Sequence, residues 1–120
     1  MLNTGVDLIE VERVKQAIER QGARFLKRIY TTKELALCRD NIPSLAGRFA
    51  AKEAVAKALC TGIGDVEWTD IEVLRGANKE PVLHLHGNAK KLAKKKKLIE
   101  WSISISHTHE HAIAMVVAIA

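Results

Sequence analysis

Between Ala46 and Cys60 the chain reads AGRFAAKEAVAKALC, and this stretch limits the fold more than any other. Ala, Leu, Lys and Glu dominate it and no proline interrupts it, so the pattern predicts a helix. On a 3.6-residue wheel its surface is apolar almost all round, which demands burial by the rest of the chain. Yet it carries four charges in two pairs one turn apart, Arg48 with Lys52 and Glu53 with Lys57. The first pair is like-charged and repulsive on a bare helix. Two readings stay open. Either these groups serve an anionic ligand, with or without a metal, or the helix has two solvated edges and an ordinary Glu–Lys pair worth about 0.3 kcal/mol.

At 120 residues the chain is expected to be one domain spanning 1–120. That length buries a real core without disulfide or metal staples. A net charge of +5 favours an anionic partner: nucleic acid, an acidic protein or a phosphorylated small molecule. Cys38 and Cys60 form no CxxC pair and no ligand cluster, which suits reduced thiols and a cytoplasmic location. The first residues, MLNTGVDLIEVERV, place acids where a signal peptide needs a cationic flank. No run approaches the roughly 20 apolar residues of a membrane span.

The remaining pattern is one strand, a run of helices, then strands, which implies α+β with a largely antiparallel sheet packed against the long central helix. A strand is expected over 3–9 and a helix over 10–21, broken at Gly22, with a further helical turn over 23–29. Thr31 to Glu34 reads as a capping segment for a short helix to Arg39. Asn41 to Ser44 reads as a loop before the central helix, and Thr61 to Gly64 as its glycine-rich cap. Strands are expected over 70–75 and 82–86 around a turn, a basic helix over 88–97, and a strand over 100–107 with Ile and Ser on opposite faces. Residues 111–119 form a nearly all-apolar strand that requires cover on both faces.

Several side chains are candidates for chemistry. Asp7 lies in an apolar strand, where a lone carboxylate is costly. With Glu53 it supplies the two carboxylates that commonly hold Mg²⁺ beside phosphate oxygens; the alternatives are pairing with an arginine or capping the next helix. His107, His109 and His111 have a spacing for Zn²⁺ only if they share a face, which a turn at 108–110 would spoil. A His107 facing a phosphate, or a plain turn histidine, are the other readings. Arg13, Ala17, Arg20 and Arg24 follow i, i+4, i+7, i+11 and make one basic face if the helix persists through Gly22. Such a row either grips an acidic partner helix or is a plain solvated surface. Lys90 to Lys97 spread around their helix and read first as a solubilising surface.

Three motifs then combine. GVDLIEVERV at 5–14, GRFAAKEAVAKA at 47–58 and SISH at 104–107 occur in the order and spacing of the holo-acyl-carrier-protein synthases, and the chain closely resembles that 4'-phosphopantetheinyl transferase family along nearly its whole length. The resemblance implies transfer of 4'-phosphopantetheine from coenzyme A to a serine of an apo acyl carrier protein, with release of adenosine 3',5'-bisphosphate. It implies Asp7 and Glu53 as Mg²⁺ ligands, Glu53 and Lys57 as catalytic groups, and Lys57 at the pyrophosphate. Arg48, His107 and Thr108 resemble the group around the 3'-phosphate. Gly62 and Ile63 fall along the pantetheine arm, and Pro81 in the turn near adenine. Arg13, Arg20 and Arg24 resemble the arginines that dock the carrier. A homotrimer with active sites between subunits is implied as well, with neither nucleic acid nor membrane as partner. In the adenine turn Glu80 stands where the family often has a basic residue, so Glu80 is given no phosphate role. The serine proton needs a base, for which Glu53 and a metal-bound water are equally open.

Two readings compete. An RNA-binding α+β module fits the charge, but five aromatic residues and no RNP-like run leave little to stack bases. A regulatory nucleotide-binding protein would use Arg48, Lys57 and His107 without turnover.

Overall fold

The computed structural model describes residues 1–120. Strand β1 (Leu2–Glu10) leads into four helices, α1 (Val11–Gln21), α2 (Ala23–Ile29), α3 (Thr32–Cys38) and α4 (Ile42–Ala58). A short 3₁₀ turn, Trp68–Asp70, which the sequence pattern does not announce, precedes β2 (Ile71–Arg75) and β3 (Pro81–Leu85). Helix α5 (Gly87–Lys95), β4 (Glu100–His107) and β5 (His111–Ile119) complete the chain. The fold is α+β with every strand pair antiparallel. The strands do not form one sheet, however: β1-β5-β4 make one and β2-β3 another.

Helix α4 lies against both sheets, and small residues let it come close. Ala50, Ala51, Ala54 and Ala58 are fully buried, facing Ala114, Val116 and Ala118 of β5 within the main core. A Cβ on Gly5 of β1 would run into the Ala54 carbonyl, so glycine is required at this crossing. The helix starts at Ile42, within the expected loop. Asn41 caps it by accepting the Ser44 N–H at 2.9 Å, and Pro43 sits in the first turn, where no intrahelical N–H is needed. It ends at Ala58, two residues early. The left-handed residue there is Cys60 (φ 59°) rather than a glycine, with the Cys60 N–H bonded to the Lys57 carbonyl and the Thr61 N–H to that of Ala56. Thr31 and Glu34 form the expected capping box on α3.

Strand β5 departs from expectation. Ala112, Ala114, Val116 and Ala118 are buried, but Ile113 and Met115 on the other face are exposed in the single chain. Register places Met115 opposite Val6 and Ser104, and Ile113 opposite Leu8 and Ser106. Val6 and Leu8 are exposed as well, so one face of the sheet is an open apolar surface. No helix of the structure is long and apolar enough to cross a membrane.

Candidate active site

The strand carrying Asp7 lies along α4, and this brings Asp7, Glu53 and Lys57 together. Lys57 Nζ donates to the Val6 carbonyl at 2.8 Å and to Asp7 Oδ1 at 3.3 Å. Asp7 is therefore paired with a lysine, neither with an arginine nor with the N-terminus of α1, whose cap position makes no side-chain bond. Burial pushes the Glu53 carboxyl up from its ordinary value. The Asp7 charge pushes it further in the same direction, and Lys57 opposes both. Two carboxylates share one lysine, which leaves negative charge to be neutralised. A hard divalent cation supplies that charge and prefers carboxylate oxygen, so the donor set fits Mg²⁺. No group of three or more His, Cys, Asp or Glu side chains is arranged to hold an ion. His107, His109 and His111 are accordingly not gathered as a zinc site.

Arg48 points elsewhere. Five residues separate it from Glu53, about 140° around the axis at 100° per residue. It is buried, and its Nε donates to the Val73 carbonyl at 3.0 Å. It lines a cavity of about 160 Å³ together with Ser44, Arg75, Lys79, Pro81 and His107. No carboxylate lines this cavity, so its charge suits an anion. Arg48, His107 and Pro81 thus line one cavity, and Thr108 does not join them. Its hydroxyl accepts the Glu110 and His111 N–H groups at 3.2 and 3.1 Å and closes the β4–β5 turn. Arg75 and Lys79 are lining residues that sequence reasoning missed. The available signal was Lys79 beside Glu80-Pro81 in the hairpin turn. Glu80 itself stabilises that turn, accepting the Asn78 N–H on its carboxylate at 3.0 Å and the Gly76 N–H on its carbonyl at 2.8 Å.

Lys52 corrects the reading of α4 as two ligand-facing cations. It is fully buried, and Nζ donates to Glu34 Oε1 at 2.8 Å, to the Trp68 carbonyl at 3.0 Å and to the Ile71 carbonyl. Burial pushes its ammonium down from the usual lysine range, while Glu34 pulls it back up. All three ammonium protons are spent inside the protein, so Lys52 is unavailable to a ligand.

The arginine row is divided. Arg13 and Arg20 lie on α1, but Gly22 (φ 55°) ends that helix and Arg24 belongs to α2. Arg13 borders a small apolar cavity with Ile9, Ala17, Phe25 and Phe49. Gly62 and Ile63 lie in the segment between α4 and β2. Beside them, Thr61 and Asp65 face Lys91, Lys95 and Lys96 across a cavity of about 430 Å³, so the lysine-rich segment is not wholly a solubilising surface.

Residues 3–116 match the 4'-phosphopantetheinyl transferase superfamily, and the chain belongs to it. More particularly, it is similar to holo-[acyl-carrier-protein] synthases. That of Herpetosiphon aurantiacus is 48% identical over 98% of both chains. The Helicobacter pylori synthase, crystallised in complex with coenzyme A, superposes with a TM-score of 0.88 at 34% identity, covering 96% of this chain and 98% of that one. The Neisseria meningitidis synthase gives a TM-score of 0.90 at 31% identity over 98% of both. The chain is thus a transferase of the phosphopantetheinyl type.

Proposed function

We propose that the protein transfers 4'-phosphopantetheine from coenzyme A to a serine of an apo acyl carrier protein in a Mg²⁺-dependent reaction that releases adenosine 3',5'-bisphosphate. The meeting of Asp7, Glu53 and Lys57 beside an otherwise apolar strand carries this reading. The nucleophile belongs to the partner, so the chain needs none of its own, and group transfer at phosphorus is mainly positioning and charge neutralisation. Asp7 and Glu53 are the residues that would hold Mg²⁺, which when bound neutralises charge on the pyrophosphate. Lys57, half-exposed and held by the Val6 carbonyl, adds a fixed positive charge at the same place. Arg48, Arg75, Lys79 and His107 receive the 3'-phosphate of coenzyme A as an anion in their cavity. The decisive experiment mixes the purified protein with coenzyme A, Mg²⁺ and an apo carrier protein. The carrier should gain one phosphopantetheine by mass, with adenosine 3',5'-bisphosphate in the supernatant, and chelation should stop both. An unmodified carrier would overturn the reading and favour nucleotide binding without turnover.

Docking belongs to the same proposal. Arg13 and Arg20 on α1, with Arg24 beyond the break, give an acidic carrier helix a basic surface. Reversing Arg13 and Arg20 to Glu should raise KM for the carrier about tenfold or more with little change in KM for coenzyme A, and wild-type association should slow with salt. Equal changes for both substrates, or kinetics indifferent to salt, would place docking elsewhere.

The open apolar face of Val6, Leu8, Ile113 and Met115 supports association of copies, and we take the assembly to be a homotrimer with shared sites, working in the cytoplasm. Light scattering should give three chain masses, and Met115→Lys, which buries a charge in that contact, should give monomers with little activity. A fully active wild-type monomer would sink this assembly.

A further inference from the structure

Glu34 is the most deeply buried carboxylate in the chain, and neither the carboxylate pair nor docking uses it. Its Oε1 accepts the Thr31 N–H at 2.9 Å and the Lys52 ammonium at 2.8 Å, while Oε2 accepts the Val73 N–H at 2.8 Å. The other side of the same residue, the Val73 carbonyl, accepts Arg48 Nε at 3.0 Å. A continuous path therefore runs from Glu34 through Val73 to the guanidinium that lines the basic cavity. The neighbouring Glu72 strengthens it, since its carboxylate accepts the Thr31 hydroxyl. Two consecutive residues of β2 are thereby fastened to the first turn of α3. Lys52 adds a third fastening, because it ties Glu34 on α3 to the carbonyls of Trp68 and Ile71 just before and at the start of β2.

Arg48 needs such a support. A guanidinium has five N–H donors in a rigid fork, and its grip on an anion depends on how the fork is turned. Fixing Nε on a carbonyl sets the direction of the fork, which lines the cavity and also lies beside the Cys38 thiol. That carbonyl is only as well placed as its strand, and β2 belongs to a separate two-stranded sheet with no ladder to β1-β5-β4. We propose that Glu34 is a positioning residue of the transferase: by holding the Val73 peptide it orients Arg48 for the 3'-phosphate of the donor nucleotide. The phosphate identity rests on the function proposed above, whereas the positioning itself does not.

Two double variants separate this role from general support of the fold. Glu34→Gln with Lys52→Met removes the ion pair and the acceptor of the Thr31 N–H but keeps one carbonyl oxygen for the Val73 N–H. Glu34→Met with Lys52→Met removes the ion pair and both acceptors together. The first readout needs no substrate: solvent exchange of the Arg48 Nε proton, followed by NMR. It should be slow in the wild type and in the Gln/Met variant, and at least tenfold faster in the Met/Met variant. Fast exchange in the wild type, or equally slow exchange in all three, overturns the positioning role, and the wild-type measurement stands even if the Met/Met variant does not fold. The second readout is kcat/KM with coenzyme A and with dephospho-coenzyme A. The wild type should prefer coenzyme A ten- to a hundredfold; the Met/Met variant should lose about tenfold on coenzyme A and less than twofold on dephospho-coenzyme A. The Gln/Met variant should retain the preference. Equal losses on both substrates in the Met/Met variant would make Glu34 a support of the fold alone. A wild type without preference, combined with the expected exchange pattern, would remove the 3'-phosphate from the cavity and leave the orientation of Arg48 by Glu34 standing.

Discussion

Asp7→Asn and Glu53→Gln should each lower kcat by about 10²–10³-fold, the scale of loss when one preorganised electrostatic group is taken from a reacting centre. The loss should shrink as Mg²⁺ is raised if the remaining carboxylate still binds the ion weakly. A second measurement distinguishes function from folding. The Glu53 carboxyl is held above its ordinary value by burial and by Asp7. A carboxyl raised in the folded state contributes most to stability below its unfolded value, and that contribution is lost as pH rises through the folded value. Above its ordinary value Glu53 is therefore a burden on the metal-free protein. Glu53→Gln should melt higher than wild type at pH 7, with the difference closing as pH falls towards 4.5, the ordinary value for the group. A variant that is more stable and nearly inactive marks a residue kept for chemistry. Wild-type kcat at limiting Mg²⁺ in either variant would remove these residues from the ion.

The carboxylate pair was legible because an acid in an apolar strand has few explanations, and the KEAVAK spacing put Glu53 and Lys57 one turn apart. The order of elements was legible for a similar reason. Alternation in 100–107 and the all-round apolar character of 46–58 leave little choice of period. What could not be read were facts that depend on two distant elements meeting. Lys52 looks like Arg48 in sequence, one turn away on the same helix. Only the return of α3 beneath α4 supplies Glu34, and with it the difference between a core lysine and a cavity arginine. Arg75 was hidden likewise, since the hairpin brings it to Arg48 and nothing in its spacing announces it. The beginning of α4 was misplaced because Pro43 suggests a loop, whereas proline is well tolerated in a first turn. Strand β5 showed that an apolar run needs cover without saying whether one chain or several provides it.

Glu34→Ala should be among the most destabilising single changes in the protein, costing about 3–5 kcal/mol, because it leaves the buried Lys52 ammonium without its counter-charge. The loss has further parts, since the Thr31 and Val73 N–H groups both lose their acceptor. Against a total stability of about 5–15 kcal/mol, the change brings a chain of this size close to unfolding. The comparison with Glu34→Met plus Lys52→Met identifies the cause. With both charges gone no ion is stranded, and buried pairs replaced by apolar side chains of similar size often cost little. The Thr31 and Val73 N–H groups still lack a partner there, at about 1–3 kcal/mol each, but no stranded charge is added, so the double variant should fall between wild type and Glu34→Ala. Urea unfolding at one fixed protein concentration reads the order directly, since assembly makes apparent stability depend on concentration. A double variant as unstable as Glu34→Ala would assign the cost to lost hydrogen bonds and packing. A Glu34→Ala protein within about 1 kcal/mol of wild type would mean that water reaches Lys52 and that α3 does not seal it. The expected order, in contrast, makes the ion pair the main support of α3 against α4, while the Glu34 acceptor on the Val73 N–H is the tie that the orientation of Arg48 requires.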